Sequence, residues 1–202
     1  VLDLDVWHSA DDEVVVIHDR TVDRTTDGTG AVTDLTAAEL GALDAAHNFS
    51  PSCDGGDPQG EEYPFRGVRT GDDPPPEGFV AEDFGVPTLA QILETFDDWV
   101  LNIEVKGDGQ VALDTAELTV EELRGAGRLD GAVVTSFDDE VVAHLAELAP
   151  DLALSPGLDA SARYVLADEA PPEGQEILQL PVAYEGIELL TDGFLARSAQ
   201  AG

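Results

Sequence analysis

The stretch LDLDV places Asp3 and Asp5 two residues apart, and LNIEVKG does the same for Asn102, Glu104 and Lys106. In an extended strand such residues share one face, so each stretch projects polar groups together, roughly 7 Å apart along the backbone. Leu2, Leu4 and Val6, like Leu101, Ile103 and Val105, fall on the opposite, apolar faces. Two carboxylates on one face repel unless a cation or a proton intervenes. Read alone, DLDV is equally an acidic strand end, and Glu104 with Lys106 an ion pair along one strand. Lys106, however, is the only lysine among nine basic residues. Asp3, Asp5 and Glu104 together supply three hard oxygen donors, a set suited to Mg²⁺ or Ca²⁺. The sequence has no cysteine cluster and no paired-histidine spacing, which argues against zinc. His18, at the end of VVVIH and before DRTVDRTTDGTG, offers a proton-transfer group, and Arg24 and Lys106 offer cationic donors. An anionic small molecule carrying phosphate is the expected ligand, since a local ion and cations dominate at close range. His8, His47 and His144 lie outside this pattern.

These groups need a scaffold. The expected strands are 1–7, 14–18, 99–107 and 132–137, with shorter ones at 151–158, 177–181 and 187–191. The expected helices are 36–46, one near 86–96 capped by Thr88, 111–126, 138–149 and a closing one after 191. Alternating strands and helices indicate parallel βαβ units. A nucleotide-binding sheet carries a glycine-rich turn after its first strand, and DGTG is too short and follows the second. Polar residues instead gather at several strand ends (Asp5, His18, Glu104 with Lys106, and Ser136), which favours a TIM (β/α)8 barrel. Residues 47–86, rich in Gly, Pro and Asp, form a long loop insertion in a single domain spanning 1–202.

Composition sets outer bounds. The chain has 202 residues, 43 of them acidic, and a formal net charge of −34, which disfavours nucleic acid and anionic membrane surfaces as partners. No stretch is long and apolar enough for a transmembrane helix. The single cysteine, Cys53, excludes an internal disulfide. The chain begins directly in a strand, so an N-terminal segment is expected to be missing. Cytoplasmic and secreted locations both stay open, as does the oligomeric state.

LDLDV, VVVIHDRTVDRTTDGTGAVTDLTAAELGALDA, VPTLAQIL, LNIEVKG and VTSFDDEVVAHL, in that order, resemble the glycerophosphodiester phosphodiesterase family, in a bacterial branch that carries the 47–86 insertion. The resemblance implies a TIM barrel that hydrolyses glycerophosphodiesters to glycerol 3-phosphate and an alcohol. It implies a divalent cation, Mg²⁺ or Ca²⁺, on Asp3, Asp5 and Glu104, with His18 as a catalytic acid and base. Lys106 is implied as a site lysine at the phosphate, and Arg24 lies in the motif, at the phosphate or supporting its loop. Three departures accompany the resemblance. The family usually has glutamate where Asp3 stands, nothing matches its His-Arg-Gly strand, and its last two strands have no counterpart. The expectation is therefore an incomplete barrel, truncated at both ends and nearly inactive on its own. Two rival readings remain: a lysophospholipase D or sphingomyelinase D-like phosphodiesterase, and a barrel that binds metal or ligand without catalysis.

Overall fold

A computed structural model describes residues 1–51, 63–167, 169–175, 177–184 and 186–201. Its centre is a five-stranded sheet in the order β2-β1-β3-β4-β5. The strands are β1 (Leu2–His8), β2 (Val14–Val16), β3 (Leu101–Val105), β4 (Ala132–Thr135) and β5 (Ala153–Leu154). β1, β3, β4 and β5 run parallel. β2 pairs antiparallel with β1, Val6 facing Val16 and His8 facing Val14. No helix lies between these two strands: residues 9–13 are too few for a crossover, which takes a dozen or more, so the chain folds straight back.

The helices are α1 (Ala37–Ala42), α2 (Leu89–Thr95), α3 (Gly109–Gly125), α4 (Asp139–Leu148), α5 (Leu158–Ala167) and α6 (Asp192–Ala201). Thr88 caps α2 as expected, accepting from the Gln91 amide while Gln91 bonds back to the Thr88 amide. Thr36 and Glu39 build the same reciprocal cap on α1. Along α3, Ala112, Ala116, Val120 and Leu123 are buried at helical spacing. They join Val141, Val142 and Leu145 of α4 in covering one face of the sheet, where Leu4, Val6, Leu101, Ile103, Val105 and Val134 complete the core. Thr115 and Thr119 are buried on the same helix because their hydroxyls bond the carbonyls of Val111 and Thr115.

The other face of the sheet carries Asp3, Asp5, Asn102, Glu104 and Thr135, each partly open to solvent. Helices therefore cover one face of a parallel-rich, unclosed sheet, as in part of a barrel wall. Of the later strand expectations, 177–181 is irregular, touching β5 through the Ile177 amide on the Leu154 carbonyl. Residues 187–191 shorten to β7 (Ile187–Glu188), which pairs with β6 (Ala183–Tyr184) in a separate hairpin. Within the predicted 47–86 loop, residues 52–62, including Cys53, lie outside the described residues. The described remainder is fastened to the body by Asp44, whose buried carboxylate accepts the amides of Ala46 and Gly67.

Candidate active site

Parallel pairing of β1 and β3 sets Asp3 opposite Asn102 and Asp5 opposite Glu104. The period-2 reading of both stretches therefore meets in one register, with all four side chains on the uncovered face. At the upper pair a single cation serves two anions. Lys106 Nζ lies 2.9 Å from Asp5 Oδ1 and 2.7 Å from Glu104 Oε1. Burial works against the ammonium charge, but the hydrogen bonds to Glu104 and Asp5 outweigh it and hold the Lys106 pKa above the ordinary lysine value. Lys106 follows β3 directly, its amide bonding the Val6 carbonyl, and Gly107 then turns the chain into α3. That turn needs glycine. Its φ is +109°, and a Cβ would meet Val111, Ala112 and the Trp7 ring at 3.2–3.4 Å.

At the lower pair, Asn102 Nδ2 donates to Asp3 Oδ1 at 2.5 Å and to Gln179 Oε1 at 2.9 Å. Asp3 is thus one pleat repeat away, paired with an amide, while Asp5 and Glu104 share the ammonium. Among the described residues no three carboxylate, imidazole or thiol groups gather closely enough to hold one metal ion. The seat that does form is the one between Asp5 and Glu104. It holds the Lys106 ammonium between two carboxylates, whose oxygens are hard donors.

β2 ends at Val16, two residues before His18. The chain beyond it stays fastened to β1: the Ile17 amide donates to the Asp5 carbonyl, and the Trp7 indole donates to the His18 carbonyl. The imidazole itself is 62% exposed. Its Nδ1 lies 2.7 Å from Asp19 Oδ1. Arg24 forks onto the same carboxylate, Nε to Oδ2 at 2.5 Å and Nη2 to Oδ1 at 2.9 Å. The Arg24 hydrogen bond, more than the His18 contact, lowers the Asp19 pKa to about 2. Asp19 escaped the sequence reading, although the His-Asp dipeptide was in view. Its role appears only when Arg24 folds back five residues to meet it.

Beside Glu104 opens a mostly apolar cavity of about 470 Å³, lined by Phe137, Leu158, Leu166, Leu180 and Leu189 among others. Phe137 follows β4, and Lys106 Nζ lies 5.7 Å from its ring centroid. Sequence reasoning missed these residues as well. The signal was the apolar ending of VTSF at a strand terminus.

Residues 1–170 match the Glycerophosphoryl diester phosphodiesterase family. The chain belongs to this family. A glycerophosphodiester phosphodiesterase of Caldanaerobacter subterraneus subsp. tengcongensis is 29% identical over 153 residues, covering 75% of this chain and 51% of that protein. The glycerophosphodiester phosphodiesterase from Agrobacterium tumefaciens str. C58 superposes with a TM-score of 0.64 at 24% identity, over 99% of this chain and 70% of that one. An Oleispira antarctica phosphodiesterase, solved with the product sn-glycerol-3-phosphate, gives a TM-score of 0.56 at 24% identity, over 76% of this chain and 52% of that one. The chain spans about half the length of the curated relatives it matches. The family's fold is the TIM barrel, which the strand-end chemistry favoured, and the open sheet here is an incomplete one, as the resemblance implied.

Proposed function

We propose that the protein is a phosphoric diester hydrolase that cleaves glycerophosphodiesters to glycerol 3-phosphate and an alcohol, a step in phospholipid and glycerol metabolism. The observation that carries this reading is the pair Asp5 and Glu104, held in register on adjacent strands around one cation. In this reading they are the ligands of a divalent cation, Mg²⁺ or Ca²⁺, with Asp3 the further carboxylate on the same face. An ion held there would supply Lewis acidity toward a hydroxyl group. Lys106 offsets negative charge on the phosphoryl oxygens, which its raised pKa allows across the neutral range. His18 Nε2 takes a proton from the attacking hydroxyl or gives one to the leaving oxygen. The apolar cavity beside Glu104 lowers the local dielectric on that side of the carboxylate. The domain spanning 1–202, with 47–86 as its insertion, is in this reading the scaffold for that site.

A second reading keeps the chemistry and changes the substrate to a lysophospholipid. The apolar cavity beside Glu104 favours it, since an alkyl chain would bury there the surface it exposes to water. One experiment tests both. Full-length protein is assayed with glycerophosphocholine and with lysophosphatidylcholine in Mg²⁺ or Ca²⁺, beside His18→Ala and Glu104→Ala. Each variant is expected to lose activity by at least about 100-fold. Wild-type rates in either variant would refute the assignment, and preference for the lysolipid would select the second reading.

A further inference from the structure

We infer that Asp19 is a positioning residue that holds the His18 imidazole as its Nδ1–H tautomer, and that Arg24 acts through Asp19 rather than on the substrate. The inference rests on His18 handling the proton only for what the tautomer is used for; the tautomer itself follows from the geometry.

An ionised carboxylate can only accept hydrogen bonds. At 2.7 Å from Asp19 Oδ1, Nδ1 must therefore carry the proton. A neutral ring then has its lone pair on Nε2, the nitrogen that can serve as base. The other ring nitrogen fixing the tautomer is how a histidine is prepared for proton transfer. An aspartate next to its histidine in the chain would, by itself, turn freely. Here the fork from Arg24 engages both carboxylate oxygens and fixes the plane of the group as well as its charge.

Both ends of this relay are anchored. The His18 carbonyl is held by the Trp7 indole, and the Ile17 amide by the Asp5 carbonyl. The Arg24 carbonyl accepts from Asn48 Nδ2, and Asn48 Oδ1 in turn accepts from Arg66 Nη2. The loop between is closed by the Val22 amide on the Gly30 carbonyl and by the Gly30 amide on the Asp23 carboxylate. Val22 itself is fully buried and pins that loop to the core. Part of the segment after α1 thus buttresses the arginine that orients the aspartate. Two of the five guanidinium N–H groups, those of the Nε–Nη2 edge, are committed to Asp19.

The test uses full-length protein labelled with ¹⁵N-histidine, the His18 ring signals being assigned by their loss in His18→Gln. The expected wild-type spectrum, above the titration of the ring, is that of the Nδ1–H form. In Asp19→Ala the ring shifts toward the Nε2–H form that an unconstrained histidine side chain favours, and Arg24→Gln shifts it partway. With glycerophosphocholine, Asp19→Ala is expected to lower kcat by about 10- to 100-fold while KM changes by less than about twofold. Arg24→Gln follows in the same sense. A His18 ring spectrum unchanged by Asp19→Ala would overturn the inference, as would Arg24→Gln raising KM with kcat intact. A wild-type protein that turns over no phosphodiester would count against the proposed function, while the ring spectrum would still decide the tautomer.

Discussion

Asp5 and Glu104 face each other across adjacent parallel strands, and the ammonium of Lys106 bonds to both. Ninety-nine residues separate the strands at that register, yet the distance between their charges is set by one ladder of backbone hydrogen bonds. What the ladder builds is a place for positive charge.

Replacing Lys106 by Met leaves two neighbouring carboxylates without their cation. Breaking such a partly buried arrangement costs about 2–3 kcal/mol, read as a lower melting temperature at neutral pH. Because its pKa is raised, the lysine's contribution is fully present below the ordinary lysine range and is lost as pH rises through the higher folded value. Millimolar Mg²⁺ or Ca²⁺ should raise the melting temperature of Lys106→Met more than that of the wild type. Equal shifts in both proteins would argue that the ion binds elsewhere.

Glu122 gives a pH dependence of the same sign in a lower window. Burial first, then the charge of Glu13, raises its pKa from 4.5 to about 7, with the Ala90 amide working the other way. The folded chain therefore keeps a proton that the unfolded chain gives up above pH 4.5. Stability should fall as pH rises from there to about 7 and stay level beyond. Glu122→Gln should remove that slope. At pH 8 it should be more stable than wild type by on the order of 1 kcal/mol, since solvent screens part of the effect. Denaturant melts at pH 5 and pH 8 check this, and parallel pH profiles would contradict it.

Asp44 is 1% exposed and ties the segment after α1 to the body through the amides of Ala46 and Gly67. Asp44→Ala leaves the buried Gly67 amide and the half-buried Ala46 amide without an acceptor and should cost about 2–3 kcal/mol. Limited proteolysis should then cut within 47–86 before any other segment. Unchanged stability and an unchanged cleavage pattern would show that the loop is held in another way.

Much of this site was legible from the alternation of DLDV and NIEVK, because a strand's two faces follow from its period of two. Register does not follow from periodicity. That Asp5 meets Glu104 while Asp3 meets Asn102 depends on how β1 slides against β3. The direction of β2 is likewise not in its composition: the five residues before it dictate the reversal. Residues 177–181 have a strand-like composition, but a strand exists only where its amides find a ladder, and here Ile177 alone reaches β5. Asp19 was hidden for a related reason. A side chain that acts by holding its neighbour has no spacing of its own to read, and only the returning Arg24 reveals it.

Asp5 and Glu104 are proposed as the seat for a divalent cation. Calorimetric titration of chelator-stripped, full-length protein with Mg²⁺ and with Ca²⁺ tests it directly. Binding at one site in the wild type and its loss in both Asp5→Asn and Glu104→Gln are expected. Undiminished binding in those two variants, or none in the wild type, would contradict this proposal.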